Sequence, residues 1–352
     1  MDKLTFRKKL EGQLEQFYSD EIQIAPTPQF TKLLERMKSL TLAGGKRFRP
    51  YVAFLTYSSY GGKDFDKLLR VALSSELLHN YILIHDDIID NDLERYGVLN
   101  ITGQYLKDFT SLENDSDRLR LAEGMAIIAG DIGHSLAYKN LLSIDSLDDR
   151  EKKQLCKLLT NCNIDLLAGQ QMDTLNIELL IDDFTLDRLI TTCMLKSSSY
   201  STIIPMKMAA ILLDLNNREV KLIEKFAVQF GILYQLVDDY SDYFINKTDF
   251  NIKAKYRDFR QGKITHPYFV ALELASEQER DFLKENFGNK KIPQDQLERV
   301  TNILLNCGAK DKAIELISKY AVESQNCLNK LNISKEGKNQ MLGLIEHYKT
   351  VV

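Results

Sequence analysis

The chain is poor in the residues that break secondary structure. Among 352 residues there are 6 prolines and 17 glycines. So few turn-formers over this length argue against many short strands and for long, uninterrupted helices. No run of about 18 apolar residues occurs, so no transmembrane helix is expected. The segment from Met1 to Leu10 is charged and lacks an apolar centre, which argues against a secretory signal. The 5 cysteines, Cys156, Cys162, Cys193, Cys307 and Cys327, are odd in number and show no CxxC spacing. They read as reduced thiols of a cytoplasmic protein rather than as a zinc site. The 5 histidines are scattered, so no histidine-based metal centre stands out. A net charge of -4 leaves no electrostatic footprint for nucleic acid, although local basic patches can still hold small anions.

What the chain does have is helical periodicity. Hydrophobic residues make up 44% of it, enough for a sizeable core. Leu33, Leu34, Met37 and Leu40 recur at three and four residues, the spacing of one buried helical stripe. Residues 70–90 are too long and too rich in Leu, Ile and Ala for a strand, and 121–142, 151–175, 184–213 and 218–244 read the same way. Sustained alternation of period two is missing. The fold class is therefore read as all-α. Breaks fall at Gly44-Gly45, Gly61-Gly62, 108–118, 143–150, 246–262 and 288–293, and none resembles a long Ser/Gly/Pro linker. A single domain over 1–352 is expected.

The most informative segment runs from His79 to Asp90 and ends His85-Asp86-Asp87-Ile88-Ile89-Asp90. On a helix, Asp86 and Asp90 lie one turn apart on one face, with Asp87 beside them. Left uncompensated, these carboxylates would repel. Their spacing suits shared magnesium, which prefers oxygen ligands and often bridges carboxylates to substrate phosphates. His79 lies two turns earlier on the same face. Alone, such a cluster reads equally as a solvated acidic helix end. The apolar residues before it and a second copy argue otherwise. That copy is Gln235 with Asp238, Asp239 and Asp242, in which Asp238 and Asp242 share a face and Gln235 is one turn before Asp239. Two such motifs at the ends of apolar helices can clamp a diphosphate through several metal ions and make it a better leaving group.

A third element is the run Gly44-Gly45-Lys46-Arg47-Phe48-Arg49-Pro50. The glycines suit a helix stop and Pro50 a first helical turn. New backbone N–H groups, with Lys46 and Arg49, make an anion site that needs no metal. By itself the run reads equally as a basic turn.

Taken together these residues resemble the trans-prenyltransferases, or polyprenyl synthetases. Gly130-Asp131 resembles the family's AGD, Gly169 to Asp173 its GQxxD, and Lys196-Ser197 its K-T/S pair. Gln235 to Asp239 resembles its FQxxDD, and Asp258 to Pro267 its DxxEGKxTxP. The matching pieces span 44–267. The resemblance implies an all-helical bundle around a deep central cavity, a homodimer (with a heteromer left open), and about three magnesium ions per site. It implies chain elongation, in which isopentenyl diphosphate condenses with an allylic diphosphate. Asp86, Asp87, Asp90 and Asp238 would bind magnesium on the allylic diphosphate, with Asp239 and Asp242 supporting them. Gly45, Lys46, Arg49 and His79 would hold isopentenyl diphosphate. Arg95, Lys196, Ser197 and Lys263 would hold the allylic diphosphate, with Gln235 near the developing cation. The released diphosphate would take the proton, so no general base is expected among the side chains.

Two positions depart from the family's pattern. Tyr96 stands where a second arginine usually helps bind isopentenyl diphosphate; a phenol donates one hydrogen bond but makes no bidentate charged pair. Residues 251–257 lack the usual Gly-Lys spacing, and Lys255 is out by one. Tyr81, five residues before Asp86, matches a position that limits product growth, although ideal helical geometry aligns Leu78 and Ile82 better with the Asp86 face. A short product follows, geranylgeranyl diphosphate (C20) ahead of farnesyl diphosphate (C15). Among lone residues, His85 reads as a satisfied buried histidine, and Tyr200, Tyr240 and Tyr243 as core. Gln170 and Asp173 read equally as helix bridges or substrate contacts. The rival readings are a terpene cyclase or head-to-head synthase of the same fold, which would not need the Gly44 to Pro50 site, and a non-catalytic regulatory subunit of a heteromeric prenyltransferase.

Overall fold

The computed structural model describes residues 2–176, 184–245 and 255–350. The chain forms two compact units. One comprises Met1–Ser58, Gly62–Leu158 and Ile211–Leu213; the other comprises Ser59–Gly61, Leu159–Ala210 and Asp214–Val352. No helix is long and apolar enough to cross a membrane among the described residues.

The first unit holds α1 (Lys3–Gln23), α2 (Pro28–Ala43), α3 (Phe48–Ser59), α4 (Phe65–Ile89), α5 (Ile101–Asp108), α6 (Asp115–Leu142) and the start of α7 (Asp149–Leu175). Side-chain caps set where these helices begin. Thr27 accepts from Phe30 N at 3.2 Å, Asp64 from Lys67 N at 3.0 Å and Asn100 from Gly103 N at 2.9 Å. Each satisfies an N–H that the helix itself leaves without a partner. Pro28 and Pro50 fall in first turns, where a missing N–H does no harm. The stripe Leu33, Leu34, Met37 and Leu40 is buried, as its spacing predicts. Helix α4 packs chiefly on α6, and α1 packs on α2 and α4.

One element departs from an all-helical reading. Glu94–Arg95 and Val98–Leu99 pair as a two-stranded antiparallel hairpin, β1 and β2, in the register Glu94 to Leu99 and Arg95 to Val98. Its loop is the dipeptide Tyr96-Gly97, with φ of 56° and 76°. Positive φ at both positions marks a tight hairpin turn whose twist matches the strands. Strands of two residues are too short to show alternation in a sequence.

The second unit holds the rest of α7, then α8 (Leu186–Thr192), α9 (Ile204–Leu212), α10 (Asn217–Phe244), α11 (Arg257–Gln261), α12 (His266–Leu274), α13 (Glu277–Asn286), α14 (Gln294–Asn306), α15 (Ala309–Leu328) and α16 (Lys335–Thr350). Helix α10 packs on α15, and α12 also packs on α15. The expected single helix over 184–213 is interrupted. Between α8 and α9 runs a π-helical segment, Cys193–Ile203. Wide π turns are uncommon and collect at functional sites. Two features accompany this one. Its hydroxyls bond back to carbonyls, Ser199 Oγ to Leu195 O at 2.5 Å and Thr202 Oγ1 to Ser198 O at 3.0 Å. Pro205, which has no N–H to donate, stands where the α register resumes.

Glycines let neighbours approach this segment. A Cβ on Gly231 of α10 would lie 2.4 Å from Ser198 Oγ, and one on Gly169 of α7 would lie 2.3 Å from the Lys196 backbone N. Backbone cannot step aside as a side chain can. Gly169→Ala is therefore expected to destabilise the protein by about 1–3 kcal/mol, whereas Gly124→Ala, with open space around it in α6, should stabilise it by about 0.5–1 kcal/mol. Urea denaturation of both variants checks the contrast.

His266, at the start of α12, is buried, and its Nδ1 has no hydrogen-bond partner among the described residues. Burial pushes its pKa from 6.5 down to about 4. The unfolded chain takes up this proton as pH falls below the ordinary value while the folded chain refuses it. Stability is therefore lost as pH falls from 6.5 toward about 4. We expect a loss on the order of 1–2 kcal/mol by about pH 4.5. Denaturation midpoints should show a shallower slope over this range in His266→Gln.

Candidate active site

In the first unit, three of the residues marked by the sequence gather around α4. Asp86, Asp87 and Asp90 end the helix, with Asp87 and Asp90 buried and Asp86 partly open. Asp90 N donates to Asp86 O and Asp92 N to Asp87 O, both at 2.8 Å, so the carboxylates sit on a closed final turn. Arg95, carried by β1, donates from Nε to Asp87 Oδ1 at 2.8 Å and closes a second contact from Nη2 to the same oxygen; Asp86 Oδ2 lies 3.8 Å from Nη2. Burial outweighs this pairing and pushes the Asp87 carboxyl up to about 6. Asp87 Oδ2 is buried and has no hydrogen-bond partner among the described residues. A buried carboxylate with one oxygen left over suits an added hard cation. The donors here are oxygens alone, so this set fits magnesium.

The basic loop is tied to α4 from inside. Arg47, at φ 51°, donates from Nη1 to Glu76 Oε2 at 3.0 Å, from Nη2 to Thr41 O at 2.8 Å and from Nε to Glu11 Oε1 at 3.3 Å. Arg47 and Glu76 are 5% and 4% exposed, so this ion pair is shut away from water. Glu76 stands one turn before His79 on α4. Burial, then Arg49, Arg95 and Arg47, hold the His79 pKa well below its ordinary value; Asp86 acts the other way. His79 is thus a neutral imidazole among cations. Arg49 is buried close by. The sequence reading missed Arg47 and Glu76. An acid inside the apolar run Leu68 to Leu78 was the available signal.

Tyr81 turns toward α6. Its ring lies 5.0 Å from that of His85 and 5.2 Å from that of His134, and a Cβ on Gly133 would meet the Tyr81 Cβ at 3.2 Å. Leu78 is fully buried and Ile82 partly so. His85 is part-exposed rather than buried, and it sits over Gly130, where a Cβ would fall 2.1 Å from Nε2. The AGD-like glycine therefore makes room for a histidine.

In the second unit the remaining residues form a relay. Lys196 Nζ bonds Asp173 Oδ2 at 2.5 Å, bridging the π segment to α7. This is the helix-bridging role that the sequence left open for Asp173. Ser197 Oγ donates to Gln235 Oε1 at 2.5 Å, and Gln235 Nε2 donates to Asp239 Oδ1 at 2.7 Å. The Gln235 amide is thereby held from both ends. Burial, then the charge of Asp258, push the Asp239 carboxyl well up; Asp238 and Asp173 act the same way. Asp238 is partly open. Asp242 is turned to another task, because its two oxygens accept from Arg257 N at 2.9 Å and Asp258 N at 3.2 Å. It caps α11 and so fixes the turn that carries Lys263, whose N donates to Asp258 O at 2.9 Å. Tyr240 and Tyr243 are core, while Tyr200 is half-buried. Lys255 Nζ lies 5.7 Å from the Tyr256 ring; residues 251–254 of the departing stretch fall outside the described residues.

Comparison with known proteins follows this geometry. The family model "Polyprenyl synthetase" matches residues 31–304. A short chain isoprenyl diphosphate synthase of Methanocaldococcus jannaschii is 30% identical over 276 residues, 78% of this chain and 76% of that protein. A geranylgeranyl diphosphate synthase of Saccharolobus solfataricus is 29% identical over 326 residues, 91% of this chain and 90% of that protein. In three dimensions, a crystal structure of geranylgeranyl pyrophosphate synthase from Corynebacterium glutamicum, complexed with isoprenyl diphosphate and magnesium, superimposes with a TM-score of 0.91 over all of both chains at 21% identity. The helical fold, the match through most of the sequence and the relatives agree: the chain belongs to the polyprenyl synthetase family of prenyltransferases.

Proposed function

We propose that this prenyltransferase lengthens an allylic diphosphate with isopentenyl diphosphate, and that its product is short, C20 ahead of C15. The observation that carries this reading lies within the first unit. Helix α4 ends in carboxylates, while the loop it grips through Glu76 is cationic. Two diphosphates with different fates need such different surroundings. The one that stays intact suits Lys46, Arg49 and neutral His79, which bind without activating it. The one that leaves suits Asp86, Asp87 and Asp90, with Asp238 and Asp239 as their counterparts in the second unit. Asp242 supports that second cluster by holding the Lys263 turn. Bound to these carboxylates, magnesium would neutralise the leaving diphosphate. Arg95, Lys196 and Lys263 add fixed positive charge to the same diphosphate. The amide of Gln235, oriented by Ser197 and Asp239, lies with Lys196 on the polar side of the π segment and suits the developing allylic cation. The isopentenyl double bond then attacks that cation, and the released diphosphate takes the proton.

Tyr81, locked between His85 and His134, supports a rigid wall beneath the first aspartate cluster, with Leu78 and Ile82 on the neighbouring faces. The names of the relatives favour C20. The family match runs through both units, which supports reading 1–352 as one domain, and the resemblance supports a homodimer in the cytoplasm.

The purified chain, given labelled isopentenyl diphosphate, magnesium and in turn C5, C10 and C15 starters, should yield products ending at C20 on chromatography. Excess EDTA should abolish turnover. Asp86→Asn should lower kcat by at least about 100-fold while leaving the denaturation midpoint close to that of the parent. No product from folded protein with any starter would overturn the reading and favour a non-catalytic subunit.

A further inference from the structure

Tyr96 occupies an unusual place. It has φ 56°, a left-handed backbone that bulky residues rarely adopt, and it holds this as the first loop residue of the β1-β2 hairpin. Such strain persists only where the surroundings enforce it. Here they do so through glycine. The Tyr96 ring lies flat along Gly44, where a Cβ would come within 2.7 Å of Cγ, 2.9 Å of Cδ1 and 3.0 Å of Cβ. The slot that accepts the ring exists because residue 44 has no side chain. The ring carries its hydroxyl onward to Gly45, 3.6 Å from where that residue's Cβ would be, and the Arg47 guanidinium is on the same side at 3.3 Å.

The hydroxyl therefore sits at the mouth of the basic loop. Arg95, Glu76, Arg49 and Arg47 are the charges that act on it. Burial raises its pKa, so the phenol keeps its proton and stays a donor. No hydrogen bond to it occurs among the described residues. A neutral donor held by a strained turn, aimed into a cationic loop and engaged by nothing, is arranged for an anion.

We propose that the Tyr96 hydroxyl is a direct donor to the diphosphate held without metal by Lys46 and Arg49, and so sets this chain's affinity for isopentenyl diphosphate. The inference rests on the assignment of that loop under the proposed function. One neutral hydrogen bond replaces what a second guanidinium would supply by charge, so the contact is modest and its removal is measurable.

Calorimetric titration with isopentenyl diphosphate in EDTA buffer tests it, on the full chain and on Tyr96→Phe and Lys46→Ala. Phenylalanine keeps the ring in its slot and removes only the hydroxyl. The expected result is an affinity about 3–10-fold weaker in Tyr96→Phe. In steady-state kinetics the KM for isopentenyl diphosphate should rise by a similar factor while that for the allylic starter stays within about twofold. A ring that merely packs would leave the phenylalanine variant like the parent. If Lys46→Ala loses binding and Tyr96→Phe binds as tightly as the parent, the role of Tyr96 is overturned and the loop assignment stands. If Lys46→Ala binds as tightly as the parent, the loop assignment fails and the role of Tyr96 fails with it.

Discussion

The Arg47–Glu76 ion pair is the constraint on which the first unit's chemistry depends. Both groups are almost wholly shielded from water, and each is an expensive charge to bury alone. Paired, and with Arg47 also gripping the Thr41 carbonyl, they fix the loop from Gly44 to Pro50 against one turn of α4. The helix then does the rest by its own repeat. His79 follows Glu76 by one turn and Asp86 follows His79 by two. A single buried anchor thus sets the distance from the cationic loop to the carboxylates. Removing one partner would strand a buried charge, at about 3–5 kcal/mol, and free the loop from its helix.

The second unit solves a related problem by other means. Its polar residues are held by hydrogen bonds between neighbours rather than by a buried ion pair. The π segment brings Lys196 and Ser197 to Asp173 and Gln235, and glycines at 169 and 231 allow helices to come close enough for these short bonds. Asp242 gives both its oxygens to the backbone of α11, so a residue of the acidic cluster acts as scaffolding for the turn bearing Lys263.

Much of this was legible in the sequence. Residues 70–90, 121–142, 151–175 and 218–244 lie in helices because apolar residues recur at three and four over lengths that strands do not reach. The aspartate clusters and the basic loop stand out because like charges are crowded there. The rest was hidden for physical reasons. An 11-residue π segment has no period distinct enough to separate from an α-helix. The hairpin is too short to alternate. The partner of Arg47 lies 29 residues away, and that of Lys196 lies 23 residues away, so spacing along the chain shows neither pair. Asp242 looks like its neighbours in the motif, and only the backbone groups that reach it distinguish its task.

The hairpin has one more consequence. Its consecutive residues 95 and 96 touch two different places, Arg95 the carboxylate of Asp87 and Tyr96 the glycine pair of the basic loop. One peptide plane joins the two anchor points, and a peptide plane does not stretch. The turn thus acts as a lever with an arm in each substrate's territory. Any ligand that draws Arg95 off Asp87 also tilts the arm over Gly44. Linkage makes such an effect mutual: the first substrate to arrive would tune the welcome given to the second, and by the same factor the second would tune the first.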